Sequence, residues 1–257
     1  MFGAIVGDIA GSTYERYNLK FEGCPIFAPS SDFTDDTVLT LATADHYLFG
    51  ASFEDSYRNF GRNYPDAGYG ASFRDWMFSS DPKPYNSWGN GSAMRVSPVG
   101  WVAESLDGAL TEAVASAEVT HNHPEGIKGA QAVAAAVFLA RAGKDKDSIK
   151  GYIEEAFGYD LQRSVDEIRP TYAFDVSCQG SVPEALIAFF ESVDFESALR
   201  KAISLGGDSD TIACISGAVA HAYYKKIPTW MVDYCFGCLD PAQRSIIEDF
   251  WTKFPVS

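Results

Sequence analysis

Two short acidic clusters carry the strongest chemical signal in the chain, Thr34-Asp35-Asp36-Thr37 and Asp208-Ser209-Asp210-Thr211. Each lies at the predicted start of a helix and pairs two carboxylates with hydroxyls. Helix capping accounts for either cluster alone, since Asp, Ser and Thr are favoured at the N-cap and first turn and their charge suits the helix dipole. A cap needs one such residue, however, and here each helix start holds a Thr plus two Asp. The second set also follows Gly206-Gly207, which lets backbone and ligand approach closely. If the two starts meet in space, four carboxylates converge, and their pKa values rise unless cations occupy the site. Four Asp balance two divalent ions. The donors are all oxygen, with no His or Cys among them, which points to Mg²⁺, Mn²⁺ or Ca²⁺ rather than zinc or copper. A two-metal centre is the sharper expectation.

Other segments offer weaker signals. Gly3, Gly7 and Gly11 recur every four residues on the first predicted helix, so one face is bare backbone and must pack closely against something. Asp8, Ser12 and Glu15 fall at i, i+4 and i+7 of the same segment, one stripe of an otherwise apolar helix, with Glu15 expected to face a cleft. Trp88-Gly89-Asn90-Gly91-Ser92-Ala93-Met94-Arg95 reads as a loop whose N–H groups can form an anion nest, although most such stretches are turns. His121 and His123 flank Asn122 before Pro124. That pattern suits a metal or, more commonly, a hydrogen-bonding turn. Ser177-Cys178-Gln179-Gly180-Ser181 is a small-residue loop ahead of a helix, an anion seat or a plain connector. Cys235 and Cys238 have redox or zinc-knuckle spacing, but no second close pair completes a site, and two semi-buried thiols on a helix fit better.

The elements that must position these residues read as helices nearly throughout. The periodicity predicts one from Phe33 through Leu48, one over 130–142 ending at Gly143, and one from the cap Ser148 to Phe157. Further helices are expected over Pro183–Glu191, over Phe195–Leu205 after Asp194, and over Thr211–Tyr224. Two more are expected over Thr229–Cys235 and over Pro241–Trp251 after Asp240. No run of alternating strands emerges, and turn-rich stretches are confined to 16–32, 61–70, 79–100 and 170–182. Long Gly-rich loops in a helical protein usually serve a ligand. The fold expectation is all-α, one compact domain over 1–257. With 20 Lys+Arg against 35 Asp+Glu the net charge is −15, which disfavours nucleic acid and anionic membrane surfaces as partners. No apolar run approaches a membrane span, and the start at Met1-Phe2-Gly3 is expected not to be a signal peptide. Five scattered cysteines predict free thiols and a cytoplasmic setting, and the lack of a heptad predicts a monomer.

Taken in order, these segments resemble the ADP-ribosylglycohydrolase family, which includes dinitrogenase-reductase-activating glycohydrolase and the ADP-ribosyl-acceptor hydrolases. The resemblance spans nearly the whole chain. It rests on Gly7-Asp8-x-x-Gly11-Ser12-x-x-Glu15, Thr34-Asp35-Asp36-Thr37, Gly89-Asn90-Gly91-Ser92-Ala93-Met94-Arg95, Thr120-His121 and Gly206-Gly207-Asp208-Ser209-Asp210-Thr211. It implies a compact orthogonal helical fold and a binuclear Mg²⁺ or Mn²⁺ centre held by Thr34, Asp35, Asp36, Asp208, Asp210 and Thr211. ADP-ribose or an ADP-ribosylated protein would be the partner, the ligand contacting Asn90, Gly91, Ser92, Met94 and His121, with Gly180 and Ser181 nearby. Glu15 would act as general acid/base beside Asp35 and Asp36, and the reaction would be hydrolysis of the bond between ADP-ribose and a modified Arg or Ser. O-acetyl-ADP-ribose or another free derivative is an alternative substrate, and a catalytically silent, crystallin-like relative is an alternative class. His221 departs from the small residue that many relatives carry there, and is expected to be structural.

Overall fold

Helix follows helix from the second residue onward, as the periodicity requires. The computed structural model describes residues 1–255, so the last two positions of the expected 1–257 domain lie outside the described residues. The order is α1 (Phe2–Ser12), α2 (Asp35–Phe49), α3 (Phe53–Asn63), α4 (Ala71–Phe78), α5 (Gly91–Met94), α6 (Ser97–Val102), α7 (Leu106–Glu118) and α8 (Pro124–Arg141). Then come α9 (Lys146–Phe157), α10 (Val165–Ile168), α11 (Cys178–Phe190), α12 (Phe195–Ser204), α13 (Ser209–Tyr224), α14 (Thr229–Cys238) and α15 (Pro241–Lys253). Among the described residues the only β pairing is an isolated bridge between Gly89 and Ser177. Among the described residues no helix is long and apolar enough to cross a membrane.

α1 and α13 form the centre. Both are buried on nearly every face, as helices without a polar stripe must be. They run antiparallel with their backbones touching along the glycine face. A Cβ would lie 2.2 Å from the Gly217 carbonyl oxygen at Gly3, 2.0 Å from that of Ala213 at Gly7, and 2.3 Å from that of Ser209 at Gly11. The close neighbour that the three glycines demanded is therefore α13. Each glycine costs about 1 kcal/mol against Ala in a helix, and contact over the full length of α1 offsets it. Ser209 Oγ donates to the Gly11 carbonyl at 2.9 Å, so the acidic start of α13 is pinned to the end of α1. At the far end Gly3 N–H donates to His221 Nδ1 at 3.3 Å, and the imidazole stacks on Trp101. His221 is thus a core residue, its pKa depressed to about 3 by burial.

Local signals set most helix ends, and the exceptions have physical causes. Asp194 and Asp240 cap α12 and α15 with full capping boxes. α9 starts two residues before Ser148 because Asp145 is the cap, taking the Ser148 N–H on Oδ1 at 2.7 Å. α11 starts at Cys178, five residues before the expected Pro183. Ser177 caps it, and the Gly89–Ser177 bridge anchors its start, leaving Pro183 inside the helix. The stretch around 88–95 is not an open loop, since α5 occupies Gly91–Met94 and α6 begins at Ser97, inside the expected turn region. α1 stops at Ser12, where Tyr14 N–H reaches back three residues to Gly11, and Glu15 begins a separate 3₁₀ turn (Glu15–Tyr17). Glu15 therefore leaves the stripe shared by Asp8 and Ser12.

Candidate active site

The start of α2 is seated on α1. Asp8, fully buried, accepts the backbone N–H groups of Thr34 and Thr37 at 2.9 and 3.0 Å, and both hydroxyls as well. Thr34 is also the N-cap, taking the Asp36 N–H at 3.3 Å. Capping is therefore done by Thr34 and the α1 carboxylate. Asp35 and Asp36 have no part in it: the Asp35 N–H goes to Ala67, and both carboxylates are directed elsewhere. At the other helix start Asp208 occupies the N-cap position but makes no side-chain cap bond. Its Oδ2 instead accepts from Asn90 Nδ2 at 2.6 Å.

The two starts meet. Thr211 Oγ1 of α13 donates to Asp36 Oδ2 of α2 at 3.2 Å, across 175 residues of sequence. Carboxylate oxygens of Asp8, Asp36 and Asp210 lie within 4.8 Å of one another, as do those of Glu15, Asp208 and Asp210. Asp210 belongs to both groups. The acidic centre is thus two adjoining lobes sharing one residue, and it includes Asp8 and Glu15, which were not counted among the expected ligands. Asp35 belongs to neither trio, although its carboxyl lines the same cavity.

Repulsion is visible in the protonation equilibria. Asp35 is pushed up to about 8 by burial first and then by the charges of Asp8 and Asp208. Asp36 and Asp210 move well upward for the same reasons, burial leading. Asp8 rises only to about 6, because its four hydrogen bonds oppose the cost of burial. Burial raises Asp208, while Asp210, Asn90 and Thr211 restrain it. Glu15 is raised by burial and then by Asp208. Among the described residues no donor reaches buried Asp36 Oδ1 within hydrogen-bond geometry, a costly state for an acceptor. An all-oxygen, polyanionic cluster with an orphaned buried oxygen fits hard divalent cations.

The cluster forms one wall of a cavity of about 660 Å³, a size suited to a nucleotide-like ligand. Glu15, Thr34, Asp35, Asp36, Asn90, Gly91, Met94, His121, Asp208, Asp210 and Thr211 all line it. Ser92, Gly180 and Ser181 do not. The Ser92 hydroxyl donates to the Gly126 carbonyl at 2.7 Å and ties α5 to α8. Gly180 lies in the first turn of α11, where its N–H goes to Ser177. Ser181 sits behind Asn90, accepting from its amide at 3.0 Å while that amide holds Asp208. His123 caps α8 through the Glu125 N–H, so the two histidines do not share a ligand. Cys235 and Cys238 are free thiols on α14, the first buried and the second partly so. Trp88, Phe174 and Val176, each about half exposed, also line the cavity. Phe174 and Val176 carried no sequence signal, since neither belongs to a periodic segment.

Two acidic helix starts of an all-α protein thus converge on a nucleotide-sized cavity. Residues 1–255 match the ADP-ribosylglycohydrolase family model, and the chain belongs to that family of enzymes. It is 28% identical to mouse ADP-ribosylhydrolase ARH3, over 91% of this chain and 86% of the relative. It is likewise 28% identical to ADP-ribosylarginine hydrolase Tri1 of Pseudomonas putida, over 87% and 69%. A solved ADP-ribosylglycohydrolase-related protein complex shares the fold, with a TM-score of 0.68 at 23% identity over 98% of both chains.

Proposed function

We propose that this enzyme hydrolyses the C1″ glycosidic bond between ADP-ribose and a modified side chain, using two divalent ions, Mg²⁺ or Mn²⁺. The observation that carries the reading is the convergence of Asp36, Asp208, Asp210 and Glu15 on one wall of the cavity. Asp35, Asp36, Asp208 and Asp210, with the hydroxyls of Thr34 and Thr211, are the groups that would hold the ions. When bound, the ions polarise ribose hydroxyls and the attacking water. Their charge would offset that of the four aspartates in a −15 protein, which a diphosphate needs in order to approach.

In the reaction, the water oxygen bonds to C1″ as the bond from C1″ to the side-chain atom breaks. Glu15 gives its proton to the leaving atom, and the water's proton passes to the carboxylate of Asp35 or Asp36. Burial, the larger cause, raises Glu15 and favours its protonated form. That favours an oxygen leaving group, which needs a proton more than a guanidinium does, so serine is the preferred linkage over arginine. Asn90 holds Asp208 in register, and Gly91 lets the His121 ring approach the start of α5, where a Cβ would lie 3.1 Å from Nε2.

The test offers purified protein ADP-ribosyl-serine, ADP-ribosyl-arginine and O-acetyl-ADP-ribose, with and without Mg²⁺. Serine-linked substrate is expected to turn over fastest and only with the ion. Glu15→Gln is expected to abolish turnover while sparing ADP-ribose binding. Undiminished hydrolysis by that variant would remove Glu15 from the mechanism.

A further inference from the structure

Arg95 is wholly buried, yet among the described residues no carboxylate forms an ion pair with it. Its guanidinium lies 3.9 Å over the Tyr57 ring, a cation–π contact. Nη2 donates to the Ser116 carbonyl and to Thr120 Oγ1, each at 2.8 Å, while Nε and Nη1 have no partner. Thr120 Oγ1 stands 2.7 Å from His121 Nδ1. The other ring nitrogen, Nε2, lies beside Gly91 in the cavity wall, where a Cβ would be 3.1 Å away, and it makes no hydrogen bond within the described chain.

The direction of this chain follows from donor and acceptor chemistry. A guanidinium only donates, so Arg95 occupies a lone pair of the Thr120 oxygen. If His121 carried its proton on Nδ1, two N–H dipoles would converge on that oxygen and the imidazole dipole would point toward the cation. With the Thr120 hydroxyl donating to Nδ1, every dipole runs away from Arg95. We propose that Arg95 is a positioning residue that acts through Thr120 to fix His121 as the neutral Nε2–H tautomer. His121 is then a permanent donor aimed from the cavity wall at an acceptor atom of the ligand. Only the identity of that ligand rests on the ADP-ribose reading above. The groups facing the imidazole are Arg95, at the C-cap of α5, and Tyr85 from the preceding loop, its ring 5.9 Å away. Burial, and next the Arg95 charge, hold His121 well below its ordinary pKa, in keeping with a neutral ring.

The experiment is ¹⁵N-histidine NMR on the ligand-free protein in Mg²⁺ buffer, with the His121 signals assigned by their loss in His121→Gln. A bare Nδ1 and a protonated Nε2, unchanged from about pH 5 to about pH 8, are expected. An Nδ1–H tautomer, or a ring that titrates in that window, would overturn the proposal. Thr120→Ser keeps the hydroxyl and should retain both the tautomer and the ADP-ribose affinity. Thr120→Val should mix the tautomers and weaken ADP-ribose binding about tenfold by calorimetry, the worth of one hydrogen bond. Unchanged binding and an unchanged tautomer in Thr120→Val would refute the relay. If the NMR pattern holds but the wild type does not bind ADP-ribose, the relay stands and the ligand assignment fails.

Discussion

Asp8 of α1 accepts two hydrogen bonds from Thr34 of α2, from the backbone N–H at 2.9 Å and from the hydroxyl at 2.6 Å. Oδ2, which takes the Thr34 N–H, also accepts the backbone N–H and the hydroxyl of Thr37, while Oδ1 takes the Thr34 hydroxyl. A carboxylate in the most buried helix therefore does for α2 what a local cap does for an ordinary helix. By orienting that helix start it places Asp35 and Asp36 at the cavity.

Asp8→Ala strands four donors, two of them backbone N–H groups, around a fully buried position. The expected cost is about 3 kcal/mol in urea unfolding, together with weaker divalent-ion binding by calorimetry. A loss of less than about 0.5 kcal/mol, the scatter of ordinary surface substitutions, would mean that the socket does not hold α2.

The glycine face gives a second test. Gly7→Ala would put a methyl 2.0 Å from the Ala213 carbonyl oxygen, so α1 and α13 must separate. Overpacking of this kind is expected to cost about 3 kcal/mol. Gly151→Ala on α9 meets nothing within 4 Å and should stabilise by about 0.5–1 kcal/mol through helix propensity. Equal effects on the two melting curves would contradict backbone contact as the reason for the α1 glycines.

What could be read from the sequence divides along chain distance. Caps at Asp194 and Asp240 act on N–H groups two or three residues away, so they were legible. Asp145 was missed because Ser148, three residues on, is an equally good capping type. The two acidic clusters were legible as composition, and the alternative that they were only caps fell once Asp208 proved to cap nothing. Asp8 is different. Its partners lie 26 and 29 residues away, and nothing in Gly7-Asp8-Ile9 says which donors will reach it. Ser92 and Ser181 look like ligand contacts in the sequence, but their hydroxyls are consumed by α8 and by the loop at Asp175.

Asp36 separates stability from ion binding. Its Oδ1 is buried and unpartnered, and its ionised form is opposed by burial and by Asp8, Asp35 and Asp208. Asp36→Asn keeps the shape and removes one charge. Without ions the variant should melt no lower than the wild type. It should lose the stabilisation that Mg²⁺ gives the wild type and turn over at least on the order of 100-fold more slowly. A variant that still gains stability from Mg²⁺ as the wild type does would show that Asp36 is not a ligand.

The pH dependence of that stabilisation follows from the same cluster. In the ion-free fold Asp35 titrates near 8, whereas an Asp in the unfolded chain titrates near about 3.9. Below about pH 4 both states are protonated and the contribution to stability is complete. As pH climbs from there the unfolded chain releases its proton while the fold retains it, so stability falls until the folded group ionises near 8. Asp36 and Asp210 add in the same direction. His121 and His221 are held neutral by burial and act oppositely, losing stability as pH drops below about 6.5. Both lie outside the acidic cluster, so their effect cancels between chelated and Mg²⁺-loaded samples. Bound cations favour the ionised carboxylates and remove the slope. The difference in melting temperature between loaded and chelated protein should therefore widen steadily from about pH 5 to about pH 8. A difference that stays flat across that window would mean the aspartates are already ionised without ions, and the repulsion that draws the cations in would be absent.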